Sequence, residues 1–488
     1  APGHAEHRGL TTGRAEYDLT AGDPPTSHDR FWSVTVNMYP LSSRQKDPMG
    51  IQRSPKHVCA HVLRIKGELD VDALNGALDD VVARQESLRS RVHYDESGMS
   101  GSLEVLPPMP VPLAVRDVPE APGRSRDEIA AELLHEVNEE SMDFLETPSL
   151  RAVLHRFDDQ DAVLTLLSHH LYSDGWSVGV LRSEIAACYR ARVTGVPHTL
   201  PNPVPYSGFA SWEQEFLQSE KAAQARRYWK DKLAGAAMCT MPADRPYNPE
   251  NQSARTAVRN FSIDPDTLAK VTVGAARNRC SIWHVCLAAY MVLMEKISGQ
   301  TDITLMTVNS GRPAREYYNT IGFFANLVPV RLEFDDCKTF LDLMLCARKA
   351  SAEAQQHQLP TESLLGMYPT LMNPPGDSMV LPAGFNYISA PADHQDTDFT
   401  TSVEPVTLPE EEPASFRRGV IIWTFLVVPG GGFRCVIEYE PDSVDADTVD
   451  GWGSNFVELV LAMADRPEQE WNRSRSERAA ALSAQDHS

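Results

Sequence analysis

The chain has 488 residues, of which 42% are apolar and 23% charged, a balance that suits a globular protein and excludes a disordered or fibrous one. The formal net charge of −22 argues against nucleic acid or an anionic membrane as a partner. No run approaches the roughly twenty continuous apolar residues of a membrane span, and Ala1 to Arg14 lacks the apolar stretch of a secretory signal. Eight cysteines lie scattered at 59, 188, 239, 280, 286, 337, 346 and 435, with no C-x-x-C pair. Reduced thiols in a cytoplasmic protein are expected, and neither a zinc site nor any other metal is.

Strand and helix patterns alternate along the chain. Val58 to Ile65 reads as a strand, and Asp70 then caps a helix to about Ser87. Val111 to Val115 is a strand and Arg126 to Met142 a helix. Leu150 to Arg156 and Ala162 to Leu167 read as paired strands around the polar turn 158–161.

The run Ser168-His169-His170-Leu171-Tyr172-Ser173-Asp174-Gly175-Trp176-Ser177 comes next. A helical pattern follows it, Val178 to Arg192. Two histidines and an acid thus sit where a strand stops and a helix begins, a rigid base from which side chains can enter a cleft. Histidine can take and return a proton near neutral pH. Adjacent strand residues face opposite ways, so His169 and His170 should do different jobs.

Pro197 to Pro205 marks the boundary between two lobes. Gly208 to Leu233 reads as mainly helical, Thr256 to Ile263 as a strand, and Pro265 to Asn278 and Ile282 to Ile297 as helices. Strands at Ile303 to Val308 and Leu327 to Phe334 precede a helix, Phe340 to His357. Strands at Phe385 to Ser389, Gly419 to Val428 and Phe433 to Tyr439 lead to a last helix, Ala446 to Met463. Gly430-Gly431-Gly432 reads as a hairpin turn rather than a phosphate loop. Asp70, Asp264 and Asp445 each follow a strand and open a helix, an echo that hints at related lobes. The expected layout is a tail at 1–24, lobes at 25–200 and 201–472, and a polar tail at 473–488.

The run HHLYSDGWS resembles the HHxxxDG motif of the condensation domains of nonribosomal peptide synthetases. Other pieces fall in the family's order. Arg84 to Arg91 (RQESLRSR) resembles its RHExLRTRF stretch. Tyr206 to Trp212, with Tyr228-Trp229, resembles its YxDYAxW…YW region. Ser310-Gly311-Arg312 with Glu316 resembles GRxxxE, and Ile321 to Asn326 resembles IGxFVN. Arg30-Phe31-Trp32, with His28 before it, is a weak form of the first motif, and His357 to Pro360 a degraded HQDxPFE. The resemblance spans about residues 25 to 470.

The resemblance implies an α/β (α+β) fold of two chloramphenicol acetyltransferase-like lobes, a V-shaped pseudo-dimer with a central tunnel. It implies an acyl or aminoacyl group carried on the phosphopantetheine arm of a carrier protein and transferred to an amine or hydroxyl acceptor. No bound cofactor is needed, because a thioester is already activated. His170 matches the second histidine and is the expected catalyst. His169, Asp174 and Gly175 complete the motif. Asp174 is expected to pair with Arg312 as a buried ion pair. Gly175 suits either close substrate approach or a turn that requires glycine. Tyr172, Trp176, Ser177 and Asn326 are candidates to line the tunnel. The basic stretch Arg226 to Lys232 is a solvated helix face or, as a lesser alternative, a carrier-protein contact.

His169-His170 excludes a heterocyclisation domain, and the extra motifs of the epimerisation branch are not recognisable. No adenylation, carrier or thioesterase sequence follows residue 475, which suits a free-standing enzyme or one cut from a larger synthetase. The alternatives are an ester-forming acyltransferase of the same fold that uses coenzyme A or carrier thioesters, and a non-catalytic docking domain.

Overall fold

The computed structural model describes residues 37–46, 53–98, 100–248, 255–368, 379–389, 411–413, 420–428 and 432–471. The N-terminal elements are β1 (Asn37–Pro40), β2 (Val58–Lys66), α1 (Val71–Arg84), β3 (Ser90–Tyr94), β4 (Gly101–Val105) and β5 (Leu113–Asp117). They continue with α2 (Arg126–Glu139), β6 (Arg151–Asp158), β7 (Asp161–His169) and α3 (Gly175–Thr194). After the proline-rich stretch come α4 (Tyr206–Leu217), α5 (Glu220–Lys232), β8 (Thr240–Pro242), β9 (Arg255–Ile263), α6 (Pro265–Arg277) and α7 (Ile282–Ser298). Then follow β10 (Asp302–Asn309), β11 (Asn326–Glu333), α8 (Phe340–Gln356) and α9 (Thr361–Met367). The chain continues through β12 (Val380–Ser389), β13 (Glu411–Pro413), β14 (Ile421–Val428), β15 (Gly432–Tyr439) and α10 (Ala446–Asp465).

The first lobe is built on a four-stranded sheet in the order β2-β7-β6-β5. Its central strand β7 is buried along its whole length, because helices cover both faces. Ala162, Leu164 and Leu166 pack with Leu74, Leu78 and Val81 of α1 and Leu181 and Ile185 of α3. Val163 packs on the other face with Ala130 and Leu133 of α2. A sheet buried on both sides reads as a continuous apolar run, as 162–167 does. By strand alternation His169 shares the face of Val163, and the chain then leaves the sheet.

The second lobe holds a six-stranded sheet, β13-β9-β15-β14-β12-β8, and the antiparallel pair β10-β11. Residues 285 to 295 of α7 are all buried in its core, which is why that helix is apolar all round. β14 and β15 pair antiparallel from Val428↔Gly432 inward. Gly430 and Gly431 lie outside the described residues, as do His28, Arg30-Phe31-Trp32 and the tails 1–24 and 473–488. A small sheet, β1-β4-β3, has no counterpart in the sequence pattern; its strands are four or five residues long, and β3 begins at the end of the RQESLRSR motif.

Two capping expectations hold and one does not. Asp70 accepts from the Ala73 N–H, and Asp264 from the Thr267 N–H, both at 2.9 Å. Asp445 precedes α10 but makes no side-chain cap; its carboxylate pairs with Arg245 at 2.7 Å instead.

Two segments pack across the expected division at residue 200. Tyr206 and Phe209 of α4, with Tyr317 and Phe324, share a core with Val92, Leu103, Leu171 and Tyr172. Ile321 is buried in the α1–α3 core of the first lobe. Segment 310–325 therefore leaves the second lobe after β10, packs on the first, and returns as β11. Prolines mark where helices and strands stop; they do not mark where a core ends.

Among the described residues no single helix is long and apolar enough to cross a membrane.

Candidate active site

The site is the junction between β7 and α3. His169 ends the strand, and the His170 N–H still donates to the His57 carbonyl at 2.8 Å. A turn follows, with the Tyr172 N–H on the His169 carbonyl at 3.0 Å. Asp174 is extended and caps α3, accepting from the Ser177 N–H at 2.8 Å. This cap starts the helix at Gly175, three residues before the apolar periodicity becomes visible.

His169 and His170 occupy different surroundings. His169 is fully buried. Its Nδ1 accepts from the Leu171 N–H at 3.2 Å, so the proton sits on Nε2, which donates to the Ser54 carbonyl at 3.1 Å. Both nitrogens are occupied. The His170 ring is half-buried, stacked on His57 at 4.5 Å and packed against Phe323 at 4.5 Å. Its Nδ1 is enclosed and makes no hydrogen bond among the described residues, which leaves the Nε2 edge for a reacting proton.

Burial pushes His170 down from the usual 6.5 to about 4; Asp174 opposes this and Arg44 adds to it. The ring is therefore neutral at pH 7 and able to accept a hydrogen bond or a proton. A neutral buried ring favours the folded chain fully above pH 6.5, and that advantage is lost as the pH falls from 6.5 through about 4. An NMR titration of the His170 ring is expected to show it neutral from pH 8 down to 5. A midpoint near 6.5 would contradict the burial argument.

Asp174 has no capacity left for a substrate. Its oxygens accept six hydrogen bonds: two from Ser177, two from Arg312, and one each from the Phe324 and Ala325 N–H groups. Burial alone would raise its pKa, but the Arg312 charge and these donors outweigh it and hold the carboxyl below the usual range. The Asp174–Arg312 ion pair is 3.1 Å long and almost fully buried. Arg312 also donates to the Tyr317, Ser310 and Thr320 carbonyls and lies 4.3 Å above the Phe324 ring. The pair thus binds segment 310–325 to the motif.

The four candidate tunnel residues all make framework contacts. Tyr172 is fully buried; its hydroxyl donates to the Phe144 carbonyl at 2.7 Å and accepts from the Val92 N–H at 3.0 Å. Ser177 is fully buried, and its hydroxyl meets Asp174 and both backbone groups of Gly322. The Trp176 Nε1 donates to the Tyr318 carbonyl at 2.9 Å. Asn326 donates to the Leu359 carbonyl and accepts from Thr361 at 2.8 Å, joining β11 to α9. The polar groups of these residues satisfy backbone groups of segments distant in sequence.

The glycines also sort differently from expectation. Gly175 is exposed and carries no positive φ, and a Cβ there meets no protein atom. The turn does not require it, and no neighbour in the protein excludes a side chain. Gly311 has φ +65°, and a Cβ there would overlap the Phe324 carbonyl. Gly311→Ala should destabilise by more than about 1 kcal/mol, and Gly175→Ala should leave the melting temperature unchanged. Equal melting shifts for the two would contradict this.

The basic stretch is largely engaged. Arg226 donates to the Leu217 carbonyl at the end of α4, Arg227 pairs with Glu220, and Lys232 with Glu333. Sequence reasoning assigned no role to His57, Phe323, Arg44 or Gln85. Arg44 lies 4.6 Å from the Phe323 ring centroid and pairs with Glu362 of α9 at 2.5 Å. Gln85 of the RQESLRSR motif accepts from the Ile321 N–H and donates to Glu184 and the Asn319 carbonyl. Phe323 and Gln85 stood inside quoted motifs, which was the available signal. His57 had none.

A two-lobed mixed fold with a strand-end HHxxxDG histidine defines a chloramphenicol acetyltransferase-like architecture. The Condensation domain family model matches residues 36–479, and the chain belongs to that family. It is 29% identical over 450 residues to a linear gramicidin synthase protein of Brevibacillus parabrevis, across 86% of this chain and 6% of that protein. It is 27% identical over 440 residues to a surfactin synthase protein of Bacillus subtilis, across 89% of this chain and 12% of that protein. The chain thus spans a small part of these relatives. Among solved structures, the SgcC5 protein from Streptomyces globisporus, in complex with (R)-(−)-1-(2-naphthyl)-1,2-ethanediol and sucrose, matches with a TM-score of 0.75 and 27% identity. That match covers 88% of this chain and all of that one. The first condensation domain of the calcium-dependent antibiotic synthetase shares the fold, with a TM-score of 0.68 at 18% identity, over 89% of this chain and 98% of that one.

Proposed function

We propose that this chain joins a carrier-bound acyl or aminoacyl donor to an amine acceptor, as an amide-forming step of nonribosomal peptide synthesis. The observation that carries this is the division of labour at the motif. Asp174 is saturated by six donors, so His170 is the motif's remaining group with a free edge and a neutral ring. The amine attacks the thioester carbonyl, the C–N bond forms and the C–S bond breaks. His170 Nε2 accepts the amine proton, which ends on the departing thiolate. Holding both substrates in line supplies much of the rate. The chemistry calls for no bound cofactor or metal.

The gramicidin and surfactin synthase relatives support the peptide context. Carrier proteins are the proposed partners, and their phosphopantetheine arms the proposed donors. The test is intact-mass analysis of a loaded carrier protein mixed with the chain and a panel of amines and alcohols. Amide product from the carrier thioester supports the reading; product with alcohols alone overturns the amide assignment. A short thioester mimic should show a large rise in apparent KM and a smaller loss of kcat, because it lacks the carrier's surface contacts. Equal kinetics from coenzyme A and carrier thioesters would favour the coenzyme A acyltransferase instead.

A further inference from the structure

Two of the cysteines meet in the second lobe, where the turn between β11 and α8 folds against the helix. Cys337 lies in that turn. Its N–H donates to the Phe334 carbonyl at 3.1 Å, and its carbonyl accepts from the Trp471 Nε1 at 2.8 Å. Cys346 lies on the second turn of α8, and its thiol donates back to the Glu333 carbonyl at 3.6 Å. Both residues are thus drawn to the end of β11, and their thiols hydrogen-bond to each other. Each residue is half-buried.

The surroundings favour a reactive thiol at Cys346. Two cations stand near it: Lys349, three residues on along α8, and Lys232 at the end of α5, held there by Glu333 at 3.4 Å. The hydrogen bond from Cys337 holds the Cys346 thiol below its usual range; Lys232 and Lys349 add to this, while burial and Glu333 oppose it. Six other cysteines differ. Burial pushes the thiols of Cys59, Cys188, Cys239, Cys280, Cys286 and Cys435 up. The thiolate is the nucleophile of thiol–disulfide exchange, so a neighbouring thiol and cations mark the site where it starts. The condensation chemistry calls on neither Cys337 nor Cys346.

We propose that Cys346 is a site of modification by low-molecular-weight disulfides, such as glutathione disulfide, and that Cys337 resolves the adduct into an intramolecular disulfide. The Cys346 thiolate attacks one sulfur of the small disulfide, forming a mixed disulfide and expelling one thiolate. Cys337 gives its proton to water, and its thiolate attacks the Cys346 sulfur and expels the second. Two protein thiols are oxidised by two electrons, one small disulfide is reduced to two thiols, and the two protons end on those thiols. Sulfurs already in contact need little movement to reach the roughly 2 Å of a disulfide bond. The bond fastens the β11–α8 turn to the helix.

The folded chain is incubated with glutathione disulfide, stopped with acid, and read by intact mass and peptide mapping. The expected product has lost about 2 Da, holds a Cys337–Cys346 cross-link without glutathione, and reverts with dithiothreitol. Cys337→Ser should stop with one glutathionyl group on Cys346. Cys346→Ser should slow uptake of glutathione at least about tenfold, because the most ionised thiol is gone. A stable glutathionyl group on Cys346 in the unaltered chain, or first reaction at another cysteine, overturns the proposal. So does a folded chain that stays unmodified while the urea-unfolded chain reacts. Should a variant not fold, limiting iodoacetamide is applied to the unaltered chain. Cys346 is expected to be alkylated first, and prior oxidation to protect Cys337 and Cys346 together. First alkylation elsewhere, or protection of one without the other, overturns the proposal.

Discussion

Replacing His170 by Ala is expected to lower turnover by roughly 10²–10⁴-fold, the usual contribution of one positioned acid–base group, and to leave the melting temperature nearly unchanged. The ring is half-buried and makes no side-chain hydrogen bond among the described residues. Its neighbours are the faces of His57 and Phe323. Truncation removes packing but strands no polar partner. His169→Ala should behave in the opposite way. It leaves the Leu171 N–H and the Ser54 carbonyl without their partner, which costs about 1–3 kcal/mol for each buried group left unmet. Paired measurements of melting and product formation decide the matter. A folded, inactive His169→Ala beside an active His170→Ala would reverse the two roles.

The second large effect is expected at the buried ion pair. Asp174→Ala and Arg312→Ala should each destabilise by about 3–5 kcal/mol, because each leaves the other charge buried without its counter-ion. Asp174→Ala also removes the cap of α3 and two backbone contacts to segment 310–325. The double variant should lose less than the sum of the singles, since the partners share one interaction. Denaturant unfolding of the three variants measures this coupling. Strictly additive losses would show that the two side chains act independently.

What was legible in the amino-acid sequence was local or carried by motif. The junction of β7 and α3 followed from an apolar run, a polar turn and a helical period, and the Asp174–Arg312 pairing followed from the family resemblance. The positions whose contacts were not legible share a cause: their surroundings come from elsewhere in the chain. Tyr172 looks like a cleft residue until Val92 and Phe144 close on its hydroxyl. Gly175 looks like the essential glycine, yet a Cβ there meets no protein atom, while Gly311 is pressed against the Phe324 carbonyl. Periodicity cannot show that His57, more than a hundred residues upstream, stacks on His170. Nor can it show that Ile321 is buried in the first lobe's core.

The path of segment 310–325 bears on how such chains exchange parts. A recombinant cut at the proline-rich stretch near Pro201 looks clean on paper, since it falls between helices. It would nevertheless deliver a foreign loop to the native motif. That loop must present two N–H groups to Asp174, an arginine of the right reach, and a glycine where Gly311 now turns. The unit of inheritance is therefore the first lobe together with its visiting segment, and grafts that keep the two from one parent preserve the whole set of contacts.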